Sequence, residues 1–458
     1  MTLPLFTGEL LQKLEVTGPR YTSYPTVPDW SDRFGPTDYA AALRRAGRTP
    51  EKPLSLYVHI PFCREMCTYC GCNVVATRDR TKADRYLDGV AREAAIVASH
   101  LGERRSLSRL HLGGGTPTYL DERQLLALWH IIERHFHVLP DAEIAVEIDP
   151  VVTRREQLAL LRGLGFNRLS MGVQDFDERV QRAVNRIQTV EETRAVISYA
   201  RQLGFQSVNF DLIYGLPFQT VESWRETLTK VELLRPDRIA TFSFAYVPEA
   251  RPHQKRLPSA EIPRGVEKLA LFRTAWETLT GAGYRAIGMD HYALPNDELS
   301  QAQEKKLLWR DFQGYTTERA ADTVALGATG IGDVGGAFAQ NVRPLGSYES
   351  ALADGRLATQ RGLVLTDDDK RRRAVIIDLM CNFSVDLDAI VDDAPAYFAH
   401  ELEDLHALAK DQLVELDGTR VKVLPLGRLF IRNVAMVFDA WLAHARAAQE
   451  KRVFSSTI

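Results

Sequence analysis

The sequence predicts an α/β fold built on a parallel sheet, open or curled into a partial barrel, and three observations lead there. Short apolar runs of about five to seven residues alternate with amphipathic stretches from about Pro53 to Phe244. Most of these runs end in Gly, Pro, Asp or a lone polar residue, as buried parallel strands do. The strand–helix unit repeats six times in one direction. Every strand then delivers its C-terminal end to one rim, where the chemistry of such folds sits.

The predicted strands are Leu54–Ile60, Leu107–Leu112, Ile144–Ile148, Arg168–Val173, Val208–Tyr214 and Ile239–Phe244. Between them the 3.6-residue apolar period predicts helices over Ala83–Ser99, Glu122–His135, Arg154–Leu164, Val190–Leu203 and Val221–Leu234. Two helix starts are legible: Thr189 with Glu192 forms a capping box, and Thr220 is an N-cap. The polar and glycine residues at the strand ends are His59, Gly113–Thr116, Glu147, Gln174, Asp211 and Ala245. A single carboxylate at a strand end is as often a loop cap as a ligand, so the set carries the argument.

Beyond about Leu294 the pattern changes. Gln301–Arg319 is polar, and Ala325–Ala337 is rich in glycine, which predicts close backbone approach to something bound. From Thr366 the chain reads as helices over Asp369–Leu379, Tyr397–Lys410 and Leu426–Ala447, with a hairpin over Leu413–Val423 turning on Asp417–Gly418. Three helices and a two-stranded wing make a winged-helix-like, mainly helical domain. The run Asp367 to Arg373 puts acids at a helix start with bases after them, a solvated helix end. The divisions expected are residues 1–50 as an N-terminal arm and lead-in, 51–345 as the barrel with a substrate-site extension, and 346–458 as the C-terminal domain.

At 458 residues with 45% apolar and 26% charged side chains the chain is globular, large enough for two domains or a barrel with additions. A formal charge of −3 argues against a nucleic-acid binder, and a mean hydropathy of −0.20 goes with the lack of any membrane-length apolar run. Met1–Glu15 shows no basic segment followed by an apolar core, so a cytoplasmic protein is expected. A monomer is expected too, on no signal in the sequence.

Four of the five cysteines, Cys63, Cys67, Cys70 and Cys72, fall within ten residues, and Cys381 stands apart. A secreted disulfide framework would spread them; a tight cluster after a strand reads as a metal site. Cys63, Cys67 and Cys70 supply three corners of a 4Fe–4S cube, leaving one iron open to a small-molecule chelate. The amino and carboxylate groups of S-adenosylmethionine are such a chelate, and one electron into its sulfonium gives a 5′-deoxyadenosyl radical. A zinc site of three Cys with His59 is the competing chemistry, although zinc ligands usually come from two separated knuckles. The spacing leaves Cys72 as a fourth ligand, a redox partner or a loop thiol. Gly113-Gly114-Gly115-Thr116 at the next strand end lets backbone groups approach a ligand.

These motifs together resemble the radical SAM superfamily and, within it, the oxygen-independent coproporphyrinogen III oxidases. The matching stretches are LSLYVHIPFCREMCTYCGC from Leu54, HLGGGTPTYL from His111, AVEIDP ending at Pro150, RLSMGVQDF from Arg168, VNR ending at Arg186 and NFDLIYGLP from Asn209. YRAIGMDHYA from Tyr284, DFQGYTT from Asp311 and GPRYTSYPT from Gly18 extend the likeness over residues 18 to about 440. Cys72 and the arm Tyr21–Thr26 point to the oxidases rather than to the related haem chaperones.

The resemblance implies a partial (β/α)6 barrel whose Cys63, Cys67 and Cys70 bind the cluster. It implies that Tyr57, Tyr69, Gly114, Gly115, Thr116, Glu147, Gln174, Arg186, Asp211 and Ala245 surround S-adenosylmethionine. It further implies a second S-adenosylmethionine lined by Ile331, with Phe312 and Gln313 less firmly placed. The implied reaction turns two propionates of coproporphyrinogen III into vinyl groups, with an electron donor and an acceptor that the sequence does not identify. A haem chaperone without oxidase activity is the alternative within the superfamily. Gly18–Thr26 is expected to form part of a cover over the barrel mouth, and Arg20 and Arg310 are candidates for the substrate's carboxylates.

Overall fold

The computed structural model describes residues 8–318, 321–448, 454, 456 and 457. The start of the arm (1–7), Arg319 of the polar stretch and residues 449–453, 455 and 458 of the C-terminal domain lie outside the described residues. Contacts gather the chain into two compact units, one of Trp30–Asp211 with Ala321–Val364 and one of Met1–Asp29, Leu212–Ala320 and Leu365–Ile458.

In the first unit β1 (Leu54–Ile60), β2 (Ser106–Gly114), β3 (His137–Ile148) and β4 (Arg168–Gln174) pair parallel in that order, and β5 (Ser207–Tyr214) lies next to β4. In β1, Leu54, Leu56, Val58 and Ile60 are wholly buried and Ser55 and His59 nearly so. A strand covered on both faces needs such a run, which is why the parallel sheet was legible. The helices Glu122–His135 and Val190–Leu203 fall on their predicted bounds. Thr189 Oγ1 accepts from the Glu192 N–H at 3.1 Å, and Glu192 Oε2 accepts from the Thr189 N–H at 2.8 Å.

The glycine-rich stretch forms strands that continue the sheet on the far side of β1, inside the edge strand Thr359–Val364. Thr323–Leu326 pairs parallel with β1, and Ile331–Val334, Ala337–Asn341 and Thr359–Val364 follow antiparallel. Its backbone packs on the chain's own groups: the Gly327 N–H donates to buried Glu93 at 2.7 Å and the Ala328 N–H to Tyr86 Oη at 2.9 Å. Gly335 has φ +58°, and a Cβ there would stand 2.1 Å from the Ala42 carbonyl oxygen. Gly335→Ala is therefore expected to cost about 2 kcal/mol or more in unfolding free energy, measured by denaturant titration. An unchanged midpoint would show that the Pro36–Ala46 helix, which carries Ala42, yields freely.

In the second unit β6 (Arg238–Ser243) pairs antiparallel with His291–Ala293, which pairs antiparallel with Arg285–Ile287. Val221–Leu234 matches its predicted bounds, with Thr220 Oγ1 accepting from the Ser223 N–H at 3.2 Å. The hairpin Val414–Asp417/Arg420–Val423 gains a third strand, Ser384–Asp386, so the wing is three-stranded.

The single helix expected over Leu426–Ala447 is three, Pro425–Leu429, Ile431–Met436 and Ala440–Ala447. Phe430 and Phe438 turn into the core at the breaks, and Asp439 caps a new start by accepting from the Leu442 N–H at 2.9 Å. The arm differs from expectation as well. Tyr21 and Tyr24 are buried in the core with Val375, Leu379 and Phe438, and Tyr21 Oη donates to Asp439 at 2.9 Å. Gly18–Thr26 is thus held firmly in the second unit, with Tyr21 and Tyr24 as core residues. Among the described residues no helix is long and apolar enough to cross a membrane.

Candidate active site

The thiol loop begins where Phe62–Cys63 pairs with Val75–Ala76, so Cys63 is fixed by a short two-stranded ladder. The far side of the loop is pinned to the segment after β4. The Thr68 N–H and Oγ1 donate to the carbonyls of Val184 (3.0 Å) and Ala183 (3.2 Å), and Asn185 Nδ2 donates to Met66 O at 3.0 Å. This clamp sets Cys63 and Cys67, both half-buried, into the wall of a cavity of about 650 Å³ shared with Thr116, Asp149 and Arg186. Cys70 is half-buried too, and Cys72 is exposed with its thiol hydrogen-bonded to that of Cys70.

Arg186 organises this wall. Nη1 reaches Asp149 Oδ2 at 3.1 Å and Cys67 Sγ at 3.8 Å, while Nη2 donates to the Gly172 carbonyl at 2.7 Å. Cys63 Sγ lies 3.3 Å from Thr116 Oγ1. Burial pushes the Cys63 thiol up to about 12 and raises that of Cys67, against the pull of Arg186. Such thiols give up their protons to a metal rather than to water. Tyr69, raised by burial, is near enough to Arg186, Cys67 and Cys70 to feel their charges.

The glycine turn after β2 carries the neighbouring carboxylate. The Gly114 N–H donates to Glu147 Oε2 at 3.0 Å, and His111 Nε2 lies 3.1 Å from Oε1. Burial raises the Glu147 carboxyl, but His111 and the Gly114 N–H more than offset this and hold it below its ordinary value. Gly114 has φ +117°, and a Cβ there would meet the His59 ring at 2.6 Å. His59 Nε2 lies 3.1 Å from the Asn73 carbonyl, which only accepts, so Nδ1 accepts from Tyr57 Oη at 3.0 Å. With both nitrogens engaged and burial lowering its pKa, His59 is a neutral buttress for the turn. Asp211, at β5, accepts from Ser170 Oγ at 3.1 Å and Asn209 Nδ2 at 2.8 Å. Gln174 ends β4 at φ +66°, a strained backbone for a residue with a side chain.

Among the described residues no three His, Cys, Asp or Glu side chains converge on a single-ion position. A multi-iron cluster instead takes one thiolate per iron, and three thiols on one clamped loop suit it. The donor set therefore fits a cluster better than the zinc alternative, the more so because His59 is already engaged.

Tyr57, Tyr69, Gly114, Gly115, Thr116, Glu147, Gln174, Arg186, Asp211 and Ile331 all belong to the first unit. Ile331 pairs with Gln340, with Thr323–Leu326 between its strand and β1. Ala245, Phe312 and Gln313 belong to the second unit, where the Ala245 carbonyl accepts from Gln254 Nε2 at 3.2 Å. Asp149 and His111 were not singled out in the sequence. Asp149, two residues past Glu147 at the end of β3, carried the signal of a second end-of-strand carboxylate.

Thiols and a glycine turn at parallel strand ends sort with one class of enzyme. Residues 57–231 match the model described as the Radical SAM superfamily, and residues 365–430 match the HemN C-terminal domain. The oxygen-independent coproporphyrinogen III oxidase of Pseudomonas aeruginosa is 44% identical over 97% of this chain and 98% of its own length. That of Salmonella typhimurium is 45% identical, with 97% of each chain covered. The solved structure titled coproporphyrinogen III oxidase (HemN) from Escherichia coli, a Radical SAM enzyme, superposes with a TM-score of 0.90 at 43% identity, covering 96% of this chain and 100% of that one. The chain belongs to the oxygen-independent coproporphyrinogen III oxidase family of the radical SAM superfamily.

Proposed function

We propose that the chain decarboxylates two propionate side chains of coproporphyrinogen III without oxygen, giving the two vinyl groups of protoporphyrinogen IX in haem biosynthesis. The observation that carries this reading is the clamped loop that sets Cys63 and Cys67 beside Arg186 in one cavity wall. The near-full-length likeness to named oxidases supports the substrate. Each propionate loses a hydrogen atom from its β-carbon, then CO2 and one electron, which an acceptor must take; a separate donor supplies the priming electron. A 4Fe–4S cluster held by Cys63, Cys67 and Cys70 would supply the one-electron reduction of S-adenosylmethionine that hydrogen abstraction requires.

The remaining work falls to side chains. Cys63, Cys67 and Cys70 would hold the cluster. Arg186, fixed by Asp149, would orient a carboxylate of the bound S-adenosylmethionine, and Glu147 and Asp211 would accept from its ammonium or ribose hydroxyls. Tyr57, Tyr69, Gly115, Thr116, Gln174 and Ala245 complete that site in this reading, and Ile331, Phe312 and Gln313 line a second molecule. Four clustered free thiols suit the reducing cytoplasm, and in this reading the chain is a monomer there.

Anaerobic incubation of reconstituted protein with reductant, S-adenosylmethionine and coproporphyrinogen III tests the proposal by mass spectrometry. Monovinyl then divinyl product, with 5′-deoxyadenosine, is the expected result. Deoxyadenosine without vinyl product would overturn the substrate, and an intact cluster with no cleavage would overturn the radical chemistry.

A further inference from the structure

Resting on the function just proposed, the second unit carries a feature that nothing above uses. Where β5 and β6 end, Tyr214, Ser243, Arg20, Lys268, Arg432 and Asp290 enclose a cavity of about 40 Å³. That is room for a carboxylate group or a few waters, and too little for a tetrapyrrole. Three of its lining residues are cations and only Asp290 is an anion. Asp290 is itself surrounded: Arg20 Nη2 lies 2.9 Å from it, His291 Nδ1 2.7 Å and Arg310 Nη1 3.6 Å. Its charge is thus shared among three neighbours and is not available to Lys268. Arg310, offered by the sequence as a substrate contact, is 4% exposed and stands behind Asp290 with its guanidinium 4.6 Å from the Tyr315 ring centre. It braces the wall rather than meeting a ligand.

Lys268 Nζ makes one hydrogen bond, to the Phe244 carbonyl at 3.0 Å, and keeps two donors for a ligand. Arg432 donates to the carbonyls of Gly18, Pro19 and Ser456, and adds positive charge to the cavity while fixing the arm. Burial and the like charges of Arg20 and Arg432 push Lys268 down to about 8, and burial with Arg20 pushes Arg432 down to about 9. A bound anion would relieve both. The other walls include Phe272, Met289 and Leu429, which suit a hydrocarbon stem.

We propose that this cavity is a carboxylate anchor in which Lys268, flanked by Arg20 and Arg432, takes a propionate of the tetrapyrrole. The methionyl carboxylate of a second S-adenosylmethionine is the other source of the same chemistry. It carries an ammonium on the adjacent carbon, which three cations would repel, whereas a propionate offers only methylenes there.

The test is a fluorescence titration of the full-length holoprotein with coproporphyrin III, the stable tetracarboxylate, and with its tetramethyl ester. Lys268→Met is expected to weaken the acid about ten- to a hundredfold, the loss of a charge-assisted hydrogen bond, and to leave the ester unchanged. In turnover the same variant raises KM for coproporphyrinogen III with KM for S-adenosylmethionine and kcat little altered. For the unsubstituted protein the affinity for the acid falls above about pH 8, as Lys268 loses its proton among Arg20, Arg432, Asp290, Glu15 and Tyr214. That arm needs no variant to fold. Equal affinity of the variant and the parent for the acid would overturn the anchor. A rise in KM for S-adenosylmethionine alone would assign the cavity to the amino-acid carboxylate and overturn the propionate. Absence of vinyl product from the parent would sink the oxidase function, while the contrast between acid and ester still reads the cavity.

Discussion

Serine at any one of Cys63, Cys67 or Cys70 is expected to abolish the broad visible absorption of the reconstituted protein and, with it, cleavage of S-adenosylmethionine. The loss should far exceed the about ten- to hundredfold that follows removal of a residue standing behind a metal ligand. The reason lies in how the loop is held. Cys63 is fixed by its ladder to Ala76, and Cys67 is followed by Thr68, whose two hydrogen bonds reach Val184 and Ala183. A loop so constrained cannot recruit a thiol from a distance; Cys72, hydrogen-bonded to Cys70, is near enough to step in, so the Cys70 variant also carries Cys72→Ser. Burial already opposes a thiolate at Cys63, and a serine hydroxyl, a far weaker acid, has less prospect of ionising for iron. Cys381→Ala is the control. Cys381 is fully buried among Ile287, Trp309 and Tyr315, so its loss costs stability through a cavity and leaves iron content intact. Retention of iron, absorption and cleavage in a Cys67→Ser protein would show that the loop does not hold the cluster.

The parts of this protein legible in the sequence are those where a local pattern has one physical outcome. A strand buried on both faces must be apolar, so β1 and β5 could be read to within a residue. A helix start must satisfy its free N–H groups, so Thr189 with Glu192 marked one from composition alone. The thiol spacing was legible for the same reason: three sulfurs on one short loop serve few purposes. What escaped reading depended on partners far along the chain. Nothing local distinguishes a glycine that approaches a ligand from one that approaches the chain's own groups, as Gly335 does Ala42 and Gly327 does Tyr86 and Glu93. Leu426–Ala447 has a helical period throughout, yet burial of Phe430 and Phe438 breaks it twice. Tyr21 and Tyr24 read as the aromatics of a cover because their burial against Leu379 and Phe438 is set by residues about 350 positions away or more. Asp149 was missed because its importance is entirely its bond to Arg186.

That bond sets the second large effect. Arg186→Lys keeps the charge and loses the fork that joins Asp149, Cys67 and the Gly172 carbonyl at once. KM for S-adenosylmethionine is expected to rise about ten- to a hundredfold, from loss of a bidentate, charge-assisted contact, while iron content holds. Arg186→Met should do worse. Burial disfavours the guanidinium charge, but Tyr69, Asp149 and Cys67 outweigh it and keep Arg186 protonated at any working pH. Removing that charge leaves Asp149, about one-fifth exposed, without its cation, a loss of about 3–5 kcal/mol for a buried pair. Asp149→Asn in the same chain relieves that penalty, so the double variant should be more stable than Arg186→Met alone, a non-additivity that a double-mutant cycle reads directly. KM and iron content report two different contributions of one side chain. If Arg186 served only to support the loop, Arg186→Lys would release iron and leave KM of the remaining holoprotein unchanged. If it grips the methionyl carboxylate, KM moves and iron does not.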